Sequence, residues 1–259
     1  MPRSALHVSP KKLVESPAPA LVCGPYHTQS SALHDLEFTG DLQPWPGFLD
    51  AVHTTHQNHT WRNEVLGLTL HTRDPYTYGN VEVGDEHGVQ GRFHKYFGDV
   101  LNTIFTSQSK RIRFANFKCE QSTSTGKPDV ILKDDSHVLK VVGELKVPWV
   151  REHFLADKLD DVDELRSILA QPINYMQMLD CVYGFLSNYE ETIFMRQLVD
   201  SQGNWRVEYS PVVQRSTAYD RSATNPPVVS ARQCFFYIGC DALNQGRAHN
   251  TTPRWVVQI

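Results

Sequence analysis

The first sustained apolar period in the chain begins near Asp85. Val89, Phe93, Phe97, Val100, Leu101 and Ile104 recur at steps of three and four, one face of a helix running to about Phe105. The run Arg111-Ile112-Arg113-Phe114-Ala115-Asn116-Phe117 then alternates basic or polar with apolar residues and predicts a half-buried strand. Ser122 to Gly126 reads as a loop, Val130 to Leu132 as a short buried strand, and Asp134-Asp135 as a turn. Val138 to Val147 is a further strand, ended by Pro148. An acidic stretch from Asp157 to Glu164 leads into a helical pattern over Leu165 to Leu179. Val182 to Leu186 and Thr192 to Leu198 predict a hairpin around Ser187-Asn188, and Trp205 to Val213 another strand. Ser230 to Gln233 has capping-box spacing ahead of Phe235, Ile238 and Leu243, so a last helix belongs there. Before Asp85 the pattern is weak. Pro10, Pro17, Pro19, Pro25, Pro44 and Pro46 interrupt any helix in residues 1–47, which read as an irregular leader draped over the domain. Residues 48–70 hold a short helix and a strand through Val65, Leu66, Leu68 and Leu70. The order of elements predicts a compact α/β or α+β core.

Charge modifies this picture in one place. The formal net charge of −4 argues against a broadly basic nucleic-acid coat. Residues 81–150, however, carry ten basic and nine acidic side chains, which leaves room for a local basic patch. Cys23, Cys119, Cys181, Cys234 and Cys240 are scattered without a CxxC pair, which excludes a zinc ribbon and a secreted disulfide framework and predicts buried free thiols in a reducing compartment. The N-terminus has no charged-then-apolar signal pattern, and no apolar stretch approaches the ~18 residues of a membrane span. The expectation is an intracellular protein, cytoplasmic or nuclear, in which the sequons at Asn58 and Asn250 carry little meaning. A Gly-rich phosphate loop, G-x-S-x-G and the kinase motif set are all absent from the sequence.

The chemistry concentrates at Pro128-Asp129 and Glu144-Leu145-Lys146. Asp129 opens one predicted strand. Glu144 and Lys146, two apart on the next, project from the same face. Two carboxylates on neighbouring strands make a site for a hard divalent cation, which takes oxygen ligands, water and substrate phosphate. A lysine beside them can orient an attacking water and offset charge on a phosphorane-like transition state. A turn-forming Asp129 and an ion pair between Glu144 and Lys146 would account for the same residues. Glu86 falls in the middle of the helical apolar stripe, with Gln90 one turn on. It is either an acid in need of a cationic partner or a first-turn residue favoured by the helix dipole. Gln171 and Tyr175, four apart, share a helix face. Pro172 biases Gln171 out of helical geometry, so a helix starting at Pro172 would leave Gln171 at an N-terminus suited to phosphate. Lys110, Arg111 and Arg113, with Lys118 and Lys127 beyond, supply positive charge for a polyanionic substrate or form a solvated strand face.

Acid on helix, Pro-Asp, acid-x-Lys and Q-x-x-x-Y, in that order, resemble the PD-(D/E)xK nuclease superfamily in its RecB-like form, over about residues 85–200. The phrases GKPDVIL, VVGELKVPW and YGFLSNYEETIF also look like a nuclease-type domain of fungal proteins, including the nuclease-like region of some spore-killer (meiotic drive) proteins. The resemblance implies a restriction-endonuclease-like core, a mixed central β-sheet flanked by helices, over residues 85–213. An irregular N-terminal extension over 1–84 would pack on it, and a C-terminal loop and helix extension would span 214–259. It further implies a metal-dependent nuclease in which Asp129, Glu144, Glu86 and the Leu145 carbonyl bind Mg²⁺ or Mn²⁺. Lys146 would activate or position water, and Gln171 and Tyr175 would contact water or phosphate. Nucleic acid, DNA before RNA, is the implied partner. Contacts fall on Lys110, Arg111, Arg113, Lys118, Lys127 and Gln90, with salt-sensitive binding near residues 110–127. A homodimer is left open, and no membrane is involved. The competing expectation is a catalytically silent nuclease-fold module that binds nucleic acid or a protein partner, within a killer or defence system.

Three other groups of residues read as structural. His53, His56 and His59 drift around a helix at three-residue steps and predict a solvated face rather than a zinc site. Cys234 and Cys240 read as core thiols and Trp149 as a packed aromatic. The acidic residues Asp157, Asp160, Asp161, Asp163 and Glu164 read as a solvated face flanking the substrate path.

Overall fold

The computed structural model describes residues 6–29, 35–69, 81–119 and 126–259. Ser122 to Thr125 of the expected loop, and Leu70, lie outside them. The strands are β1 (Leu6–Val8), β2 (Leu36–Phe38), β3 (Asp41–Pro44), β4 (Gly67–Thr69), β5 (Ile112–Ala115), β6 (Val130–Asp134), β7 (Leu139–Leu145), β8 (Tyr183–Ser187), β9 (Glu191–Val199), β10 (Trp205–Tyr209), β11 (Val213–Gln214), β12 (Asp220–Thr224), β13 (Pro227–Val228) and β14 (Val256–Gln258). The helices are α1 (Pro10–Glu15), α2 (Phe48–Asn58), α3 (Glu86–Phe93), α4 (Asp99–Ser107), α5 (Leu155–Lys158), α6 (Val162–Met178) and α7 (Ala231–Ala242). No helix among the described residues is long and apolar enough to cross a membrane.

Eight strands form one mixed sheet in the order β3-β10-β9-β8-β7-β6-β5, with β11 added beside β9. Strand pairs β7–β8 and β10–β3 run parallel and the others antiparallel. Side chains alternate between two apolar layers, as the pleat requires. Val130, Leu132, Val141, Leu145, Phe185 and Phe194 point to the layer formed by α3, α4 and α7. Ile131, Val142, Leu186, Ile193 and Met195 point to the layer under α6. The mixed sheet between helical layers is the α+β architecture expected from the order of elements.

The periodic segment from Asp85 is helical throughout, but its middle turn, His94–Gly98, is a π-helix between α3 and α4. The last helix has the expected capping box, with Ser230 accepting from Gln233 N–H. The predicted strand over Trp205 to Val213 is broken at Ser210, whose backbone N–H turns to Phe194 C=O. The described parts of residues 1–47 are less irregular than their prolines imply. Pro10 opens α1 at a position where its missing N–H costs nothing, and β3 ends at Pro44 on the sheet edge, where no further ladder bond is needed. Phe48 and Val52 carry α2 into the core.

His53, His56 and His59 do not form the solvated face that their spacing predicts. His56 is buried, with His53 and His59 half-buried against rings. Tyr219 and Trp61 contact His56, and Trp61 and Phe236 contact His59. The thiols are also mixed: Cys181 and Cys234 are buried, whereas Cys23 and Cys119 are exposed. Trp149 donates its indole N–H to Thr28 C=O at 2.9 Å, a packed position.

His56 gives a pH prediction. Burial, helped by Lys11, His53 and His59, pushes its pKa down to about 4. The folded chain therefore binds fewer protons than the unfolded one. The stability due to neutral His56 is complete above pH 6.5 and falls as pH drops towards 4. The expected loss is on the order of 2 kcal/mol. Glu15, 3.2 Å away and itself shifted upward by burial, offsets part of it at the acid end. Denaturant midpoints against pH should slope in this window, and His56→Gln should flatten the slope; equal slopes would contradict the assignment.

Gly143 shows how tightly β7 is held. A Cβ there would lie 2.0 Å from Phe185 Cζ, so the ring crosses the strand beside Glu144 only because glycine leaves room. Gly143→Ala should cost about 2 kcal/mol or more by overpacking, measured as a drop in denaturant midpoint at unchanged m.

Candidate active site

The β6–β7 register sets the first part of the site. Val130 faces Gly143 and Ile131 faces Val142, so Asp129, one residue further, comes opposite Glu144. Directly opposed residues on an antiparallel pair share a face. The Asp129 carboxylate closes this end by accepting the Leu145 N–H at 2.9 Å. Glu144 and Lys146 are both buried, at 4 and 5% exposure, and Lys146 Nζ donates to Glu144 Oε1 at 2.9 Å.

The β7–α6–β8 crossover lays α6 over the same face. Lys146 Nζ also donates to Gln171 Oε1 at 3.0 Å, and Gln171 Nε2 donates to the Tyr175 hydroxyl at 3.0 Å. One continuous chain thus runs Glu144, Lys146, Gln171, Tyr175. Gly126 packs on the Tyr175 ring, where a Cβ would come within 2.8 Å of Cε1. The Lys127 backbone reaches the Tyr175 hydroxyl as well.

Helix α3 supplies the third side. Asp85 caps it by accepting the Gly88 N–H at 2.7 Å, and Gln90 Nε2 donates to Asp129 C=O at 2.7 Å. Gln90 therefore holds the Asp129 peptide, a role different from the nucleic-acid contact expected of it. Glu86 is not inside the apolar stripe. It sits in the first turn of α3, exposed at the residue level but with its carboxyl partly desolvated, within electrostatic reach of Lys146 and Asp129. Of the six residues expected to carry catalysis, Glu144, Lys146, Gln171 and Tyr175 are joined by hydrogen bonds and Asp129 lies opposite Glu144, whereas Glu86 reaches them only electrostatically.

Gln171 is not at a helix N-terminus. Asp161 caps α6 ten residues earlier by accepting the N–H groups of Asp163 and Glu164, and Pro172 lies inside the helix. The missing proline N–H leaves the Ile168 carbonyl without its helical donor. Burial of Leu165, Ile168, Leu169, Ile173 and Met176 outweighs that loss.

The electrostatics are those of a site with too much negative charge. Burial raises the Glu144 carboxyl to about 8, with Asp129 and Glu86 adding to the rise and Lys146 opposing it. Burial also raises Asp129, against the Leu145 N–H and Lys146. Loss of hydration raises Glu86, with Lys146 opposing and Asp129 and Asp85 adding. One lysine does not balance these acids. A divalent cation would, and the donor set is all oxygen, as Mg²⁺ and Mn²⁺ prefer. Among the described residues, however, no three His, Cys, Asp or Glu side chains converge as a ready-made metal cage. The fit is to an open site with protein ligands from Asp129 and Glu144 and the remainder from solvent and substrate, which is common for Mg²⁺.

Lys118 and Lys127 are exposed on the segments leading towards Asp129. Lys110, Arg111 and Arg113 are not beside the carboxylates. Arg113 faces Lys133 on β6, four residues beyond Asp129 and roughly 13 Å along the strand. Arg113 is also paired with Asp135 at 3.0 Å. The acidic run behaves as expected in part: Asp157, Asp160 and Glu164 line an open cleft of about 580 Å³, while Asp161 is the α6 cap.

His94 was not legible as a neighbour of the site. It lies one turn beyond Gln90 and within electrostatic reach of Asp129, with burial lowering its pKa and Asp99 and Asp129 opposing. Four-residue spacing from Glu86 through Gln90 is the signal that would have found it.

No protein-family model matches the chain, and no curated protein matches it. Among solved structures, the type IIG restriction endonuclease BpuSI aligns with a TM-score of 0.24 and 11% identity, over 61% of this chain and 15% of that one. A likeness at that score carries no argument. The chain spans about a seventh of that enzyme, and the candidate site stands on its own geometry.

Proposed function

We propose that the chain is a metal-dependent nuclease that hydrolyses phosphodiester bonds, with DNA as the favoured substrate. The observation that carries the reading is Lys146 Nζ held between Glu144 Oε1 and Gln171 Oε1, which joins the acid-x-Lys strand to the Q-x-x-x-Y helix. Asp129 and Glu144, with the Leu145 carbonyl and Glu86 at the mouth, would hold Mg²⁺ or Mn²⁺. The cation would supply Lewis-acid charge at the phosphate and a more acidic water. Lys146, fixed by two acceptors, orients the attacking water and offsets charge that grows on the phosphate oxygens. Gln171 holds Lys146 in place, and the Tyr175 hydroxyl is the next donor along the chain, placed for water or phosphate.

A second reading is favoured by two observations. The Glu144 carboxylate is already engaged by Lys146, and no three metal-binding side chains converge among the described residues. On that reading the fold is a catalytically silent module for nucleic acid or a protein partner, in a killer or defence system. Incubation with duplex DNA, single-stranded DNA and RNA, in Mg²⁺, Mn²⁺ or EDTA, separates the two. The nuclease reading expects cleavage that needs metal and is lost in Glu144→Ala and Lys146→Ala. Cleavage surviving both substitutions would sink the site assignment; no cleavage of any substrate would favour the silent module.

A further inference from the structure

The far end of the sheet edge carries a second feature that the catalytic reading does not use. Between the end of α4 and the edge strand β5 lies an open cleft of about 410 Å³, lined in part by Asn102, Thr106, Lys110, Arg111, Arg113 and Asp135. Arg62 reaches its rim by donating to the Ser109 hydroxyl. Four cations thus surround a cleft whose lining includes one acid, Asp135, and that acid is taken up by Arg113. Arg111 and Arg113 are exposed, and among the described residues neither Lys110 nor Arg111 forms an ion pair. The chain as a whole has a net charge of −4, so this concentration of positive charge is local.

The backbone fixes the arrangement. Asn102 accepts the Phe114 N–H at 2.7 Å and donates to Phe114 C=O at 3.2 Å, tying α4 to the edge strand. This covers part of the edge that another strand would need. Ser109, at φ 54°, makes the tight turn from which Lys110 and Arg111 leave in succession. The hydroxyls of Thr106 and Ser109 add neutral hydrogen-bonding groups beside the cations. Cations and neutral donors around an open concave surface suit phosphate oxygens better than an apolar ligand.

We propose that this cleft is an exosite for the phosphate backbone of nucleic acid, separate from the Asp129–Glu144–Lys146 site. It rests on the nucleic-acid part of the proposed function and not on catalysis. At a rise of roughly 3.4 Å per nucleotide, the 13 Å along β6 corresponds to about four phosphates. A strand gripped at the cleft would therefore reach Asp129 after a short, fixed run.

The test is anisotropy of a labelled 20-mer duplex, and of a labelled single strand, in EDTA at several NaCl concentrations. For Lys110→Ala/Arg111→Ala/Arg113→Ala we expect binding about tenfold weaker or more at 0.1 M salt. The slope of log K against log[salt] should be shallower by about 2 on the single strand and about 3 on the duplex, a little under one unit for each of the three lost phosphate contacts. Lys110→Arg/Arg111→Lys/Arg113→Lys should keep both affinity and slope, which separates loss of charge from misfolding. Unchanged affinity and slope in the triple alanine variant, or wild-type binding with no salt dependence, would overturn the exosite. Because no cleavage is read, a failure of the nuclease reading leaves this result interpretable.

Discussion

Lys146→Ala should lose at least two orders of magnitude in cleavage rate and about 3 kcal/mol of stability in the metal-free protein. The rate loss follows from removing a positioned ammonium, a contribution of about 10²-fold or more for groups of this kind. The stability loss follows from burial. Lys146 Nζ bonds both Glu144 and Gln171 and is the one cation among three acids. Breaking a buried pair by removing one partner costs about 3–5 kcal/mol when the other charge remains. Glu144, already raised to about 8, responds by holding a proton at neutral pH, so the lower end of that range applies. Lys146→Met, closer in volume, should show the same rate loss with less cavity strain. Kinetics beside denaturant titration read the two effects. A variant with wild-type cleavage, whatever its stability, would remove Lys146 from the mechanism.

Glu144→Gln should spare stability. The amide keeps an oxygen for Lys146 Nζ but carries no charge into a site where Asp129 and Glu86 already repel it. Without divalent cation the variant should therefore match wild type at neutral pH, where the buried acid already holds a proton, and be the more stable of the two above pH 8, where Glu144 would have to ionise. With cation wild type should be the more stable. At a hundred times its dissociation constant, a ligand bound only by the native state contributes about 2.7 kcal/mol, and Glu144→Gln should lose that increment together with cleavage. Thermal melts with EDTA and with a Mn²⁺ series measure both states. A variant stabilised by Mn²⁺ as strongly as wild type would show that Glu144 is not a ligand.

Much of the fold was readable because its signals were local. The three- and four-residue apolar steps after Asp85 specify the buried face of α3 and α4, and the alternation from Arg111 specifies β5. The turn at Asp134 is written in its own side chain, which accepts the N–H groups of Ser136 and Val138. The six residues of the candidate site were named from motif order and the resemblance it carries, and the register of β6 on β7 brings two of them face to face.

What was not readable depended on distant partners. Pro172 favours a helix start by local rules, but the apolar face of α6 packs as one unit across it. His56 sits at a spacing that fits a wet helix face; the rings that bury it come from Trp61 and Tyr219. β3 has four residues, mostly exposed, and belongs to the sheet only through its parallel pairing with β10. Alternation told which face Arg111 and Arg113 occupy, but their distance from Asp129 follows from pairing with β6, which places them at the hairpin end.

The central claim is that Asp129 and Glu144 form a cation site rather than a structural charge cluster. Calorimetric titration of Mn²⁺ into the wild-type chain and into Asp129→Asn and Glu144→Gln tests it most directly. Saturable binding by wild type, abolished in both variants, is the predicted result. No binding by wild type, or binding that both variants retain, would contradict the account.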